Sequence, residues 1–453
     1  MFLRKIIIHV EKNTVFENPQ EIKISRGLCK QWKLKAGVAT FLQFGQSIET
    51  VTIFETVAHK VPTIEISALL AEKLAIPFEI LPIHCLYKQD ENKLSLGPVI
   101  TCITNQMYHE KVKFGSMTTF FEELARYAKH NHILFYILPL TKWEQLFYGY
   151  TIYQDEWQKL KLPEPNSVYN RISSRDFEMS NFYTDFSLYL QEKNINYFNR
   201  SFFNKWDIHV ILASFPEMHP YLPNTSLFAG YDTFAEIITV YKSIFIKPIH
   251  GSQGRQILRI EKEENEYTVY YPSFSSETST IFRSSYLLYN RLKERLKSQP
   301  FIVQQGLDLI QINECPVDFR ILCVKNTKNQ WQVVSSVARI SAKKKMVSNL
   351  AQGGEQKRPL EVLTEIYDEK LAKQYLKLMA ELALEVAKII SENLDGLFGE
   401  LGVDIALDNQ GKLWIIEVNS KPSKRDSDLA TKQIRPSSRA IINYLAYLAG
   451  FSL

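Results

Sequence analysis

Apolar residues recur at two different spacings along this chain, and the changes between them mark its parts. From residue 1 to about 98 the apolar runs are short, as in Ile6 to Val10 and Val51 to Phe54, which is strand texture. One helix is expected there, Ser67 to Ala75, ahead of Pro77. After Leu96-Gly97-Pro98-Val99-Ile100 the rhythm becomes strand, helix, strand. Pro98 to Ile103 is followed by Thr118 to Lys129, with Phe120, Phe121, Leu124, Ala125 and Ala128 on one face, and then by Ile133 to Leu138. That alternation predicts a small parallel α/β domain. Pro163-Glu164-Pro165-Asn166 reads as a turn, and Ser167 to Ile172 as a further strand.

From about residue 200 the strands alternate as antiparallel ones do. Ser243 to Pro248, Ile257 to Ile260, Tyr267 to Tyr271 and Phe301 to Gln305 are the expected strands, with a helix over Tyr286 to Leu296. Val317 to Lys325 and Trp331 to Ile340 flank Thr327-Lys328-Asn329-Gln330 as a hairpin. Leu371 to Ile390 is a long amphipathic helix. Phe398 to Leu407 and Lys412 to Val418 form a second hairpin around Asp408-Asn409-Gln410-Gly411, whose Asn and Gly tolerate the backbone angles of a tight turn.

Composition narrows the class. At 453 residues, 45% apolar and 23% charged, the chain is globular and long enough for several domains. A net charge of +5 suits an anionic ligand and does not mark a nucleic-acid binder. Cys29, Cys85, Cys102, Cys315 and Cys323 are scattered with no CxxC pair, so neither a disulfide framework nor a zinc site is expected. The run Ile6-Ile7-Ile8 is too short for a signal-peptide core or a membrane span. A soluble, cytoplasmic protein without membrane or nucleic-acid partners is the expectation.

The densest chemistry lies in the last hairpin. Leu401, Val403, Ile405 and Leu407 take one strand face and leave Asp404 the other, while Glu417 and Asn419, two apart, share a face of the returning strand. Three oxygen-bearing side chains in apolar surroundings are costly to bury unless something compensates them. A hard cation does so, and Mg²⁺ is commonly held by one or two carboxylates together with nucleotide phosphate oxygens. The alternative is a polar sheet face meeting solvent. Lys247 ends an apolar strand just before Gly251-Ser252-Gln253-Gly254. This reads either as a phosphate cradle, with a point charge and backbone amides unobstructed by Cβ atoms, or as a plain hairpin turn. It is not a Walker A loop, since no GxxxxGK[ST] occurs. Arg320 and Arg339 are strand arginines, either functional or ordinary ion-pair partners. Lys343-Lys344-Lys345 and Ser348 to Gly354 read either as a lid over a charged substrate or as a solvated connection.

The order Lys205, Pro223, Thr225, Lys247, Gln304-Gln305-Gly306, Asp318-Phe319-Arg320, Asn349 to Gly354, Asp404, Glu417 and Asn419 resembles the ATP-grasp superfamily over roughly residues 200 to 450. The spacing of Asp404, Glu417 and Asn419 is similar to that of the D-alanine–D-alanine ligase and glutathione synthetase branches. Leu96-Gly97-Pro98-Val99-Ile100, Val168-Tyr169-Asn170-Arg171-Ile172 and Ser348 to Gly354 are similar to segments of the YheC/YheD family of endospore coat-associated ATP-grasp proteins.

The resemblance implies an α+β and α/β multidomain chain. A β-rich module over 1–97 and an α/β pre-grasp domain over 98–200 would precede an ATP-grasp domain over 201–453. It also implies ATP and Mg²⁺ as cofactors. Asp404, Glu417 and Asn419 would hold the metal. Lys205 and Lys247 would meet the phosphates, with Ser252, Gln253 and Gly254 covering them. Gln304 and Gly306 would meet the adenine edge largely through backbone atoms, and Asp308 or Gln311 the ribose. Arg320 and Arg339 would neutralise the transferred phosphoryl group. The implied reaction is ligation of a carboxylate and an amine through an acyl phosphate. The alternatives are a phosphotransferase, or a nucleotide-binding coat protein without turnover. Lys343 to Lys345, Lys421, Lys424 and Arg425 point to an anionic carboxylate or peptide acceptor. The chain departs from the ligases at Gly402, where they carry an arginine, and Arg339 is the candidate to replace it.

Overall fold

The computed structural model describes residues 2–11, 16–107, 114–141, 147–251, 256–264, 266–271, 278–297, 299–341, 354–424 and 433–453. They form two compact units. One comprises residues 1–201, 325–330 and 423–453, the other residues 202–324 and 331–422.

The first unit opens with β1 (Phe2–Glu11), β2 (Glu21–Ser25), β3 (Ala39–Phe44), β4 (Ser47–Thr56), β5 (Thr63–Ser67), β6 (Ile80–Lys88) and β7 (Lys93–Gly97). These close into a barrel in the order β1-β5-β2-β4-β3-β7-β6, with β6 returning to β1 from Tyr87 opposite Phe2 to Ile80 opposite His9. Every strand sends alternate residues inward: Ile6 and Ile8, Ile22 and Ile24, Leu42 and Phe44, Val51 and Ile53, Ile64 and Ile66, Ile83 and Cys85, Leu94 and Leu96 are all buried. The expected helix near residue 70 is Ala68–Lys73, started by Ser67, whose hydroxyl accepts from the amide of Leu70.

Within the same unit lies a sheet of β8 (Val99–Thr104), β9 (Leu134–Pro139), β10 (Tyr148–Tyr153), β11 (Glu156–Lys161), β12 (Ser167–Asn170) and β13 (Asn196–Phe198), ordered β11-β10-β9-β8-β12-β13. β9, β8, β12 and β13 run parallel. Helix Thr118–His130 buries Phe120, Phe121, Leu124, Ala125 and Ala128, the face read from the sequence. The C-terminal helix Pro436–Leu448 also packs in this unit, although the sequence reading grouped it with the last domain. Its Leu445 carbonyl accepts from Ser167 Oγ at 2.8 Å.

The second unit holds two antiparallel sheets. One contains β14 (Thr225–Leu227), β15 (Ser243–Pro248), β16 (Leu258–Glu263), β17 (Glu266–Tyr271), β18 (Thr278–Phe282) and β19 (Phe301–Gln305), ordered β14-β19-β15-β16-β17-β18. The other contains β20 (Gln311–Ile312), β21 (Cys315–Lys325), β22 (Trp331–Ile340), β23 (Glu355–Lys357), β24 (Glu400–Leu407) and β25 (Leu413–Asn419), with the path β23-β22-β21-β24-β25 and β20 beside β21. Helix Glu369–Asn393, capped by Asp368, covers the second sheet with Met379, Ala383, Val386 and Ile390. All five cysteines are buried and free. Among the described residues no helix is long and apolar enough to cross a membrane.

Candidate active site

Pairing within the second unit aligns the polar side chains. Arg320 on β21 lies opposite Asp404 on β24, and Asp404 lies opposite Glu417 on β25. Directly opposed residues share a sheet face, so three strands contribute to one row. The row depends on an irregularity between Asp404 and Ile405. Ile405 pairs with Ile415, whereas Asp404 pairs with Glu417, and Ile416 is the extra residue. Strict alternation along β25 would put Leu413, Ile415, Glu417 and Asn419 on one face. The bulge re-aims the last two, so Leu413, Ile415 and Val418 pack in the core while Glu417 joins Asp404.

Asp404 is 3% exposed, a depth at which a carboxylate needs compensation. Arg320 grips it through both Nε and Nη2, the latter 2.8 Å from Oδ2. Arg339 Nη2 is 3.0 Å from the same oxygen, and its Nε is 2.5 Å from Asp318 Oδ1. Burial works against ionisation of Asp404, but the two guanidiniums outweigh it and hold the carboxyl below its usual range. Asp318 goes the other way, pushed up to about 6 by burial and by its neighbour Asp404, against the pull of Arg339. Burial alone would lower Arg339, yet Asp404 and Asp318 raise it further above its ordinary value.

Lys205 begins helix Lys205–Ala213 behind the cap Asn204, whose side chain accepts from the amide of Trp206. Its ammonium lies 2.8 Å from Glu417 Oε1 and donates to the carbonyl of Gly251 at 2.6 Å. Lys247 on β15 donates to Gln304 Oε1 at 2.6 Å, and Gln304 Nε2 donates to Thr225 Oγ1 at 3.0 Å. Burial pushes Lys247 down to about 8, with Lys205 adding to the effect and Glu417 and Asp404 opposing it. A pocket runs past these groups, with an empty volume of about 480 Å³ that includes open solvent. Lys205, Lys247, Gln304 and Glu417 supply its polar wall, and Ile208, Leu212, Ile302 and Ile415 much of its apolar one.

The remaining expected positions fare differently. The side chain of Gln304 is engaged between Lys247 and Thr225, a role that the backbone reading did not foresee. The amide of Gly306 already donates to the Ser243 carbonyl at 2.8 Å, so that N–H is taken within the protein. Asp308 and Gln311 are exposed and make no side-chain hydrogen bond or ion pair among the described residues. Ser252, Gln253 and Gly254 lie outside the described residues, as do Lys343 to Lys345 and Arg425. Lys424, expected to help attract an anionic acceptor, is buried against the ring of Phe120, 5.0 Å from its centroid. Thr225 and Asp318 belong to the series that carries the resemblance but were given no site role, because a threonine and an aspartate in strands disclose none until their partners are known.

The residues fit a hard cation. Asp404, Glu417 and Asn419 offer oxygen donors from two adjacent strands, with Asn419 opposite Gly402. The Nδ2 of Asn419 is buried and has no hydrogen-bond partner. Turning that amide over puts Oδ1 in its place, an acceptor that a cation satisfies. Among the described residues no group of three or more His, Cys, Asp and Glu side chains is arranged to hold a metal alone. Such a donor set leaves further coordination positions to water or to the oxygens of an anionic ligand, the usual pattern for Mg²⁺.

Two antiparallel sheets, one bearing the arginine–carboxylate row and the other a strand lysine, make the second unit an ATP-grasp domain. A sequence-family model described as YheC/D like ATP-grasp matches residues 194–448, more than half of the chain, and the chain belongs to that family. It is 30% identical over 287 residues to the endospore coat-associated protein YheD of Bacillus subtilis (strain 168), covering 62% of this chain and 62% of that protein. It is 22% identical over 274 residues to YheC of the same organism, covering 59% and 74%. The match therefore spans less than two thirds of YheD's length. Among solved structures it is similar to the D-alanine-D-alanine ligase from Coxiella burnetii, at 10% identity, 78% and 95% coverage and a TM-score of 0.43.

Proposed function

We propose that this chain is a Mg²⁺-dependent ATP-grasp ligase that joins a carboxylate to an amine or similar nucleophile through an acyl phosphate. The observation that carries the reading is the row of Arg320, Asp404 and Glu417, with Lys205 on Glu417 and Lys247 lining the same pocket. Phosphoryl transfer asks little covalent chemistry of a protein and much positioning of charge. Lys205 and Lys247 hold the polyphosphate. Arg320 and Arg339 face the transferred phosphoryl group and the charge that builds on it. Asp404, Glu417 and Asn419 hold the magnesium, which when bound neutralises the phosphate oxygens. A carboxylate oxygen of the substrate attacks the γ-phosphorus, and ADP leaves. The amine then attacks the acyl carbon, and inorganic phosphate leaves with the bonding pair.

Lys205, Lys247, Arg320 and Arg339, set against Asp318, Asp404 and Glu417, suit the anionic nucleotide. The basic residues Lys343 to Lys345 and Lys421 support an anionic carboxylate or acidic peptide as acceptor. Residues 98–200 are assigned the place of the pre-grasp domain. Because the YheC and YheD relatives are named endospore coat-associated, we place the reaction in spore coat formation. The test is a screen of the purified protein with Mg²⁺-ATP against pooled amino acids, dicarboxylates and spore-surface extracts. Acceptor-dependent release of both ADP and phosphate is expected. Phosphate that stays on the acceptor would make it a phosphotransferase. ATP bound but never consumed would leave a nucleotide-binding coat protein.

A further inference from the structure

Each carboxylate assigned to the metal is already paired with a cation of the protein itself. The Lys205 ammonium sits 2.8 Å from Glu417. Asp404 spends one oxygen on Arg320 and shares the other between Arg320 at 2.8 Å and Arg339 at 3.0 Å. A carboxylate pair left bare would attract free divalent cations. Here a dication arriving alone would have to displace an ammonium and two guanidiniums, for which Asp318 is the other carboxylate that the described residues bring close. Asp318 cannot take them all, since Arg339 Nε already occupies it.

We infer that the site is built to refuse a metal without a nucleotide, with Lys205 as the residue that withholds Glu417. A polyphosphate changes the balance. Its oxygens offer Lys205, Arg320 and Arg339 new partners, and the two carboxylates are released as the phosphates bring further metal ligands. Metal and nucleotide therefore each raise the other's affinity, as linkage requires of any such coupling. The two-carboxylate donor set agrees with this, since no third acidic or imidazole ligand among the described residues completes a free-standing site. Asn419, whose buried Nδ2 has no partner, adds only a neutral donor.

The inference rests on the nucleotide reading of the pocket, and its test separates the two. Mn²⁺ is titrated into the full chain and followed by its paramagnetic resonance signal, first alone and then with a non-hydrolysable ATP analogue. Nucleotide-free protein is expected to bind Mn²⁺ at least 10-fold more weakly than the protein with analogue. Lys205→Met frees Glu417, so its nucleotide-free Mn²⁺ affinity is expected to rise 10-fold or more while its affinity for the analogue falls. Lys205→Arg keeps the ion pair and gains no such Mn²⁺ affinity. Adding Glu417→Gln to Lys205→Met removes the gain, and circular dichroism checks that each variant is folded. Tight Mn²⁺ binding by nucleotide-free wild type, or a Lys205→Met variant with unchanged or weaker Mn²⁺ affinity, overturns the inference and leaves the nucleotide site standing. Failure of the analogue to bind the wild type overturns both.

Discussion

The side chain of Arg320 lies across the space that Gly402 leaves open. A Cβ at position 402 would sit 3.3 Å from Arg320 Cδ, 3.4 Å from Nη1 and 2.8 Å from Pro422 Cβ. We predict that Gly402→Ala forces Pro422 to shift, crowds Arg320 and costs about 1–3 kcal/mol, the usual penalty of overpacking. Urea denaturation measures it, and a variant as stable as wild type would show that the contact gives way freely.

Asp404 and Glu417 have different structural costs despite one proposed role. Glu417→Gln alters a side chain that is 30% exposed, so stability should change by about 1 kcal/mol or less. Asp404→Asn leaves the largely buried Arg320 without its anion and Arg339 with Asp318 alone, and should cost about 3–5 kcal/mol. Both variants should lose Mg²⁺-dependent ATP turnover. Wild-type turnover in Glu417→Gln would remove the metal assignment, and equal stabilities would contradict the burial argument.

Nucleotide affinity should depend on Lys247 through its protonation. The phosphate-binding form is the charged one, and burial has brought the group down to about 8 from 10.5. Affinity is full near pH 7, falls as pH rises through 8, and binding above pH 8 takes up a proton. Calorimetry in buffers of differing ionisation enthalpy reads that uptake. Lys247→Met should abolish it and weaken ATP binding by about 1.5–3 kcal/mol at pH 7. Proton uptake that persists in this variant would assign it to another group.

Gln304 is held at both ends, by Lys247 at 2.6 Å and by Thr225 at 3.0 Å. Thr225→Val keeps the volume and removes the acceptor, so the amide is free to turn and Lys247 loses its aim. About 1 kcal/mol of nucleotide affinity should go, roughly a fivefold rise in Kd. If Gln304→Leu reproduces the loss and Thr225→Val does not, the threonine plays no part.

Period-two and period-3.6 patterns were enough to place Phe301–Gln305, Trp331–Ile340 and the apolar face of Thr118–His130, because each pattern reports burial of a single element. Closure of the N-terminal strands into a barrel was not legible, since inward residues alternate identically in an open sheet. The bulge at Ile416 was hidden for a related reason. Glu417 and Asn419 share the parity of Leu413 and Ile415, and only pairing with β24 reveals that an extra residue moves them to the other face. Likewise, two strand arginines do not announce that both meet at the buried carboxylate of Asp404. That meeting depends on the alignment of β21, β22 and β24, which no local pattern encodes.

The C-terminal helix Pro436–Leu448 gives the chain a peculiar order of assembly. Asn196 Nδ2 donates to the carbonyl of Leu448 at 2.7 Å, Tyr127 OH reaches Asn443 at 3.3 Å, and Arg435 pairs with Glu123 at 2.9 Å. The partners of these groups are translated 252–316 residues earlier. As the ribosome works from the N-terminus, the early sheet must wait for Arg435 to reach the ring of Phe120 and Tyr444 that of Phe198. The intervening ATP-grasp segment is made in the meantime as a guest between the two parts of its host. That delay is long in sequence and dear in loop-closure entropy. A nascent chain stalled short of residue 436 would carry a finished barrel beside an unfinished sheet, and it is there that a chaperone would find apolar surface to hold.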